Sequence, residues 1–331
     1  VPWLAFLGDA TDPLDIKTAL GVRDWAPERL LGEWSLPQCS LTLDLPRLVP
    51  EIAAARGAQA LLLGVAPFGG QVPDAWVPSL LEALDAGLDI ISGLHQRLAS
   101  IEVLAESAQR NDCTLHDIRH GAPFTRVASG RPRGGHRLLT VGTDCALGKK
   151  YTALALARGL RDRGVDADFR ATGQTGILIA GGGIAIDAVV ADFIAGAAEA
   201  LSPDTQASHW DIVEGQGSLF HPAYSGVSLG LLQGTAPDLF VLCHDPARQH
   251  IDGYPDHRIP GLEEAIDLHL RLGRLSNAAI RCAGISLNTS GLAPDLRLET
   301  IAATSRRLGL PCVDPVLTGV DALLEALVNG A

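Results

Sequence analysis

The strongest constraint on the fold is the run Gly142-Thr-Asp-Cys-Ala-Leu-Gly-Lys149, because of what stands on either side of it. An apolar stretch at 138–141 precedes it, and a helical pattern over 152–161 follows it. A glycine-rich turn between a buried strand and a helix points backbone N–H groups toward an anion, and the helix N-terminus adds a favourable dipole. The order strand, glycine loop, lysine, helix therefore predicts a phosphate cradle built from Gly142, Thr143, Asp144, Cys145, Gly148, Lys149, Lys150 and Thr152. The basic residues agree: of 26 Lys and Arg, only Lys17, Lys149 and Lys150 are lysines. A chain that otherwise uses arginine keeps two lysines at this loop. A compact ammonium fits there and touches two phosphates where a guanidinium fork does not.

The loop departs from the usual pattern twice. Five residues rather than four separate its glycines, and Lys150 stands where a Mg²⁺-binding Ser or Thr is expected, with Thr152 the nearest hydroxyl. Phosphate binding follows from this arrangement; nucleotide hydrolysis does not, because the metal-holding hydroxyl is displaced. The longer spacing resembles the Gly-Thr-Asp-x-x-x-Gly-Lys loop of dethiobiotin synthetase and related P-loop proteins.

At 331 residues the chain is long for one core, so two domains are expected. In the first half, apolar runs at 3–7, 59–65 and 88–92 read as buried parallel strands. Residues 47–56, 78–86 and 96–110 show helical spacing. That alternation predicts a Rossmann-like sheet over residues 1–130, with the turn at 68–73 beyond a strand's carboxyl end. The aperiodic Ser129-Gly-Arg-Pro-Arg-Gly-Gly-His136 marks the boundary. The P-loop domain then runs over 136–331. Strands are expected at 137–141, 166–171, 210–214, 238–243 and 281–287, and helices at 149–163, 184–200, 262–273, 296–308 and 319–328. The fold class is thus α/β, with two parallel-sheet domains, Rossmann-like then P-loop NTPase-like.

The net charge of −12 opposes a nucleic-acid or membrane partner, since phosphate-rich surfaces repel an acidic body, and leaves a small-molecule substrate. The apolar stretch 177–201 carries Asp187, Asp192, Glu199 and several glycines, which suits a buried soluble helix rather than a membrane span. Six scattered cysteines with no close pair, and no signal peptide in the sequence, read as reduced thiols in the cytoplasm. A homo-oligomer is expected.

Four further segments carry chemistry. Asp211-Ile-Val-Glu214-Gly-Gln-Gly217 is an apolar strand ending on an acid and a turn, so Glu214 holds a metal, acts as a base or only caps a helix. Arg170-Ala-Thr-Gly-Gln174-Thr-Gly176 forms a small polar loop after a strand, suited to sensing a ligand next to the phosphates or serving only as a turn. Asp187 and Asp192 lie on one apolar helix but five apart, off a shared face, with Asp187 the better functional residue. The polar segment 244–260 follows a strand and supplies Arg248 and Arg258, whose forks suit a carboxylate or phosphate, and several histidines that move protons near neutral pH. His221 lies just beyond the Glu214 turn. The pair His116 and His120 lacks a third ligand, so no metal site is expected, and no Gly-x-Ser-x-Gly elbow appears.

Taken with Ile186-Asp187…Asp192-Phe193 and Val213-Glu-Gly-Gln-Gly217-Ser-Leu…His221-Pro-Ala-Tyr-Ser, these motifs resemble one two-domain family, the D-glutamate N-acetyltransferase (DgcN-type) family. The likeness covers essentially the whole chain, including Gly8-Asp9-Ala-Thr-Asp-Pro-Leu, and is strongest over 137–260. It implies acetyl transfer from acetyl-CoA, as co-substrate, to the amine of an acidic amino acid, most readily D-glutamate. The loop departures suit that donor, whose pyrophosphate needs holding without hydrolysis. On this reading Glu214, His221 or Asp187 is the base, and Arg170, Gln174, Arg248 and Arg258 bind substrate, while Cys145 is a small packing residue. The alternatives are a Mg-ATP-dependent kinase or ligase of a carboxylate, and a non-enzymatic nucleotide sensor.

Overall fold

A computed structural model describes residues 2–121 and 123–329. The chain folds into two compact units, residues 1–123 with 177–188 and residues 124–176 with 189–331.

The first unit contains β1 (Trp3–Phe6), α1 (Lys17–Trp25), β2 (Leu30–Trp34), α2 (Pro50–Ala55), β3 (Ala60–Leu63), α3 (Val77–Asp85), β4 (Asp89–Ser92), α4 (Glu102–Arg110) and β5 (Leu115–Asp117). Its sheet has the order β2-β1-β3-β4-β5, with every pairing parallel. The expected apolar runs form β1, β3 and β4. β1 and β3 are buried along their whole length, as strands covered on both faces must be. Each fully buried leucine there contributes about 1.5–3 kcal/mol. Leu178 packs with Trp3, Val22, Ala26 and Leu62, so residues 177–188 share this core.

The second unit holds β6 (His136–Gly142), α5 (Lys149–Asp162), β7 (Ala167–Arg170), α7 (Ile194–Leu201), β8 (Trp210–Val213), α8 (Ser225–Thr235) and β9 (Leu239–His244), with α6 (Gln174–Ala180) opening from its residues 174–176. There follow the hairpin β10 (His250–Ile251) and β11 (Tyr254–Arg258), then α9 (Leu262–Gly273), β12 (Arg281–Leu287), α10 (Pro294–Leu308), β13 (Cys312–Val313) and α11 (Asp321–Asn329). The parallel sheet runs β13-β12-β9-β6-β8-β7. Residues 124–135 belong to this unit, where Arg133 donates to the Gly234 and Thr235 carbonyls at 2.8 Å. No helix of the described residues is long and apolar enough to cross a membrane.

Two expectations change. The helix expected over 184–200 is two 3₁₀ turns, Ile186–Ala188 and Ala191–Phe193, followed by α7. Asp187 and Asp192 thus share no helix. The segment Arg170-Ala-Thr-Gly-Gln-Thr-Gly176, expected as loop throughout, passes into α6 at Gln174. α8 left no helical signal because it is rich in glycine and serine, poor helix formers. Packing against α7 holds it: a methyl at Gly230 would meet the Ile194 side chain, and one at Gly234 the Ala195 carbonyl.

Candidate functional site

β6 stands between β8 and β9, with Leu139 opposite Val213 and Gly142 opposite Cys243. The glycine loop, the Glu214 turn and the segment after His244 therefore leave the sheet side by side at its carboxyl edge. Gly148 caps α5 in the left-handed conformation (φ 95°), which costs glycine little. The first N–H groups of a helix such as α5 have no partner within the helix, which suits an anion at its N-terminus. Lys149 is buried, and its Nζ donates to the Asp144 carbonyl at 2.7 Å. Its arm needs two glycines. A methyl on Gly142 would stand 3.1 Å from Nζ, and one on Gly215 3.1 Å from Cδ. Gly215 also donates to Thr140 Oγ1 at 2.9 Å, which ties the Glu214 turn to the strand before the loop.

Asp144 joins the loop to the hairpin. Fully buried, it accepts from Cys145 N at 2.6 Å, Arg248 Nη1 at 2.8 Å and Asp252 N at 2.8 Å. Arg248 Nη1 also donates to the Cys145 carbonyl at 2.9 Å. On the other flank, Thr143 Oγ1 meets His244 Nδ1 at 2.9 Å, and burial pushes that imidazole below its usual range. A buried carboxylate and guanidinium stabilise one another only when further donors complete the shell, as the two amides do here.

Glu214 is buried, and its Oε2 accepts from Thr172 N at 2.9 Å and Gly173 N at 3.0 Å. Gln216 Nε2 donates to Thr172 Oγ1 at 3.1 Å, and Gln174 is buried at the start of α6. His221 is buried too, with Nδ1 accepting from Ala223 N at 3.1 Å. Its ring stacks on Tyr224 (4.5 Å between centroids) and takes Tyr254 edge-on at 5.1 Å. Burial lowers its pKa, against the opposing charge of Asp144 and a hydrogen bond to the Asp252 backbone, so the imidazole is neutral near pH 7. The ligand atoms of Asp144, Cys145 and His221 lie within 4.8 Å of one another.

A cavity of about 270 Å³ opens beside this cluster, lined by His244, Arg248, His250 and Arg258 among others. A second, of about 390 Å³, lies against Arg248, Asp252 and Tyr254. Two arginines and two histidines in the lining of the first have the chemistry that suits a carboxylate or phosphate.

The structure thus brings Gly142, Thr143, Asp144, Cys145, Gly148, Lys149, Glu214, His221, Arg248 and Arg258 to one edge of the sheet. Four expected site residues stand elsewhere or are differently engaged. Arg170 is paired within the sheet, with Asp211 at 2.6 Å and Asp168 at 3.0 Å. The Thr152 hydroxyl is buried on Ser286 Oγ at 2.8 Å and the Gly148 carbonyl at 3.1 Å, turned to the core instead of a loop metal. Lys150 lays its ammonium over the Tyr151 ring, 5.3 Å from the centroid. Asp187 belongs to the first unit, where it pairs with Arg119. Sequence reasoning placed His244, Asp252 and Tyr254 only within the polar segment 244–260, with its histidines as proton carriers, and did not single out Thr140. For His244 and Asp252 the available signal was position, directly after β9 and in the hairpin turn.

Comparison with known proteins agrees with this architecture. A family model described as a domain of unknown function (DUF1611_C), P-loop domain, matches residues 126–324, and a companion (DUF1611_N), Rossmann-like domain, matches 35–121. The crystal structure of a DUF1611 family protein from Anabaena variabilis is similar, with a TM-score of 0.89 and 34% identity over 99% of this chain and 100% of that one. Two curated relatives, from Pseudoalteromonas sp. and Tritonibacter scottomollicae, are 45% and 46% identical over 98% of both chains. Each of those proteins is named D-glutamate N-acetyltransferase.

Proposed function

The chain belongs to the DUF1611 family, Rossmann-like at its N-terminal side and P-loop at its C-terminal side, and we propose that it transfers an acetyl group to the amine of D-glutamate. The observation that carries this reading is the full-length similarity to the two relatives of that name. The residues of the site support the reading. The donor proposed is acetyl-CoA, a thioester bearing a pyrophosphate. The N–H groups at the start of α5 and the Lys149 ammonium suit that anion. They ask for no metal-bound hydroxyl, in keeping with Thr152 being committed to Ser286.

D-glutamate carries two carboxylates, and the Arg248–Arg258 cavity suits them through charge-assisted hydrogen bonds. His221 is the base. An amine attacks a carbonyl only after losing its proton, and a buried neutral imidazole at the loop accepts it at pH 7. Glu214 is a positioning residue: its carboxylate holds the amides of Thr172 and Gly173 and so shapes the loop wall. Binding by calorimetry with acetyl-CoA, CoA and Mg-ATP tests the donor. Acetyl-CoA and CoA are expected to bind; tight Mg-ATP binding without a response to either would overturn the assignment.

A further inference from the structure

The cluster of Asp144, Cys145 and His221 has a use beyond holding the loop. We infer that Cys145 is the nucleophile of the transfer and carries the acetyl group as a thioester between donor and amine. The inference rests on the acetyl-transfer reading.

Cysteine, imidazole and carboxylate atoms within 4.8 Å of one another suit either a metal ion or an activated thiol. The surroundings decide between them. Arg248 already places a guanidinium 2.8 Å from Asp144 Oδ2, and the Asp252 amide binds the same oxygen. The Lys149 ammonium reaches the Asp144 carbonyl. A cation entering here meets two fixed positive charges. The Asp144 carboxylate in the same cluster offsets one of them, and the remaining positive charge, with the start of α5 just beyond, favours a thiolate. Burial raises the Cys113 and Cys243 thiols, and pushes Cys282 and Cys312 up to about 12. Cys145 is half-buried, within the glycine loop.

The chemistry balances in two half-reactions. His221 takes the Cys145 proton as sulfur attacks the acetyl carbonyl. The new S–C bond forms, the bond to the coenzyme sulfur breaks, and His221 returns the proton so that CoA leaves as a free thiol. The ammonium of D-glutamate gives one proton to His221, which releases it to solvent; the neutral amine then attacks the acetyl-cysteine and passes a second proton to His221. The C–N bond forms, and the Cys145 thiol is regenerated with that proton. Exchange of one thioester for another is close to thermoneutral, so the intermediate needs no other energy source. The pantetheine arm is a chain of rotatable single bonds, long enough for its thioester to reach back to the loop.

The test uses the intact protein, acetyl-CoA and no acceptor. One equivalent of CoA should be released per chain, and mass spectrometry of acid-quenched protein should place one acetyl group on the peptide containing Cys145. D-glutamate should discharge it, and initial-rate plots at several D-glutamate concentrations should be parallel. Cys145→Ser, nearly isosteric and thus expected to fold, should lower turnover by about 10³-fold or more. The inference is overturned if CoA release requires D-glutamate, no acetyl group is found on Cys145, and C145S stays within about tenfold of the parent. In that case acetylation of D-glutamate by the parent enzyme would leave the wider reading standing.

Discussion

Asp144→Ala is the substitution whose consequence follows most directly from the packing. Asp144 is fully buried and accepts three hydrogen bonds, one from the Arg248 guanidinium and two from the Cys145 and Asp252 amides. Alanine leaves all three donors without that acceptor. Removing one partner of a buried ion pair costs about 3–5 kcal/mol. Arg248 keeps 19% of its side chain exposed and can turn partly to water, so a loss of about 2–3 kcal/mol is expected. For a unit of this size, 1 kcal/mol shifts the melting temperature by roughly 2–4 °C. The transition of the P-loop unit should therefore fall by roughly 4–12 °C in a calorimetric scan, with Asp144→Asn in between because its amide oxygen still accepts. The hairpin should also loosen, seen as faster hydrogen exchange over 250–258. A shift below about 1 °C with unchanged exchange would refute the idea that Asp144 anchors hairpin to loop.

Lys149→Ala should keep the fold and weaken CoA binding by roughly 10- to 100-fold, the worth of one charge-assisted contact of about 1.5–3 kcal/mol; an unchanged Kd in calorimetry would mean the loop does not grip the phosphates. Arg258 is exposed, so Arg258→Ala should raise KM for D-glutamate by only roughly tenfold with little change in kcat. If KM for the donor moves instead, the cavity belongs to the coenzyme. His209 touches Asp166 at 2.8 Å and Asp211 at 3.2 Å; burial opposes its charge, but these carboxylates outweigh burial and raise its pKa above 6.5. A raised pKa stabilises the fold fully below 6.5 and ceases to do so as pH climbs through the folded value. The melting temperature of the parent should thus decline over that window relative to His209→Asn; parallel profiles would contradict this.

Much of this site was legible in the sequence. Gly142 to Lys149 is local in the chain, so its strand, turn and helix appear together, and the lysine bias reinforces them. Glu214 was visible for the same reason, as an acid at the end of an apolar run. What stayed hidden depends on partners far apart in the chain. Arg170 reads as a free loop arginine until Asp211 is seen to hold it, and Asp144 meets Arg248 across a hundred residues with no periodic trace. Asp187 reads as part of the second domain because it follows the P-loop, whereas residues 177–188 pack with the first unit. α8 was missed because its glycines, unfavourable in an isolated helix, are there to let α7 approach.

The central claim is acetyl transfer to D-glutamate. Its most direct test follows N-acetyl product by mass spectrometry after purified protein is mixed with acetyl-CoA and, separately, D-glutamate, L-glutamate, D-aspartate and D-alanine. The account predicts N-acetyl-D-glutamate with stoichiometric CoA release, and far slower turnover of D-alanine, which lacks the second carboxylate for the Arg248–Arg258 cavity. No product from any of the four, under conditions where acetyl-CoA binds, would contradict it.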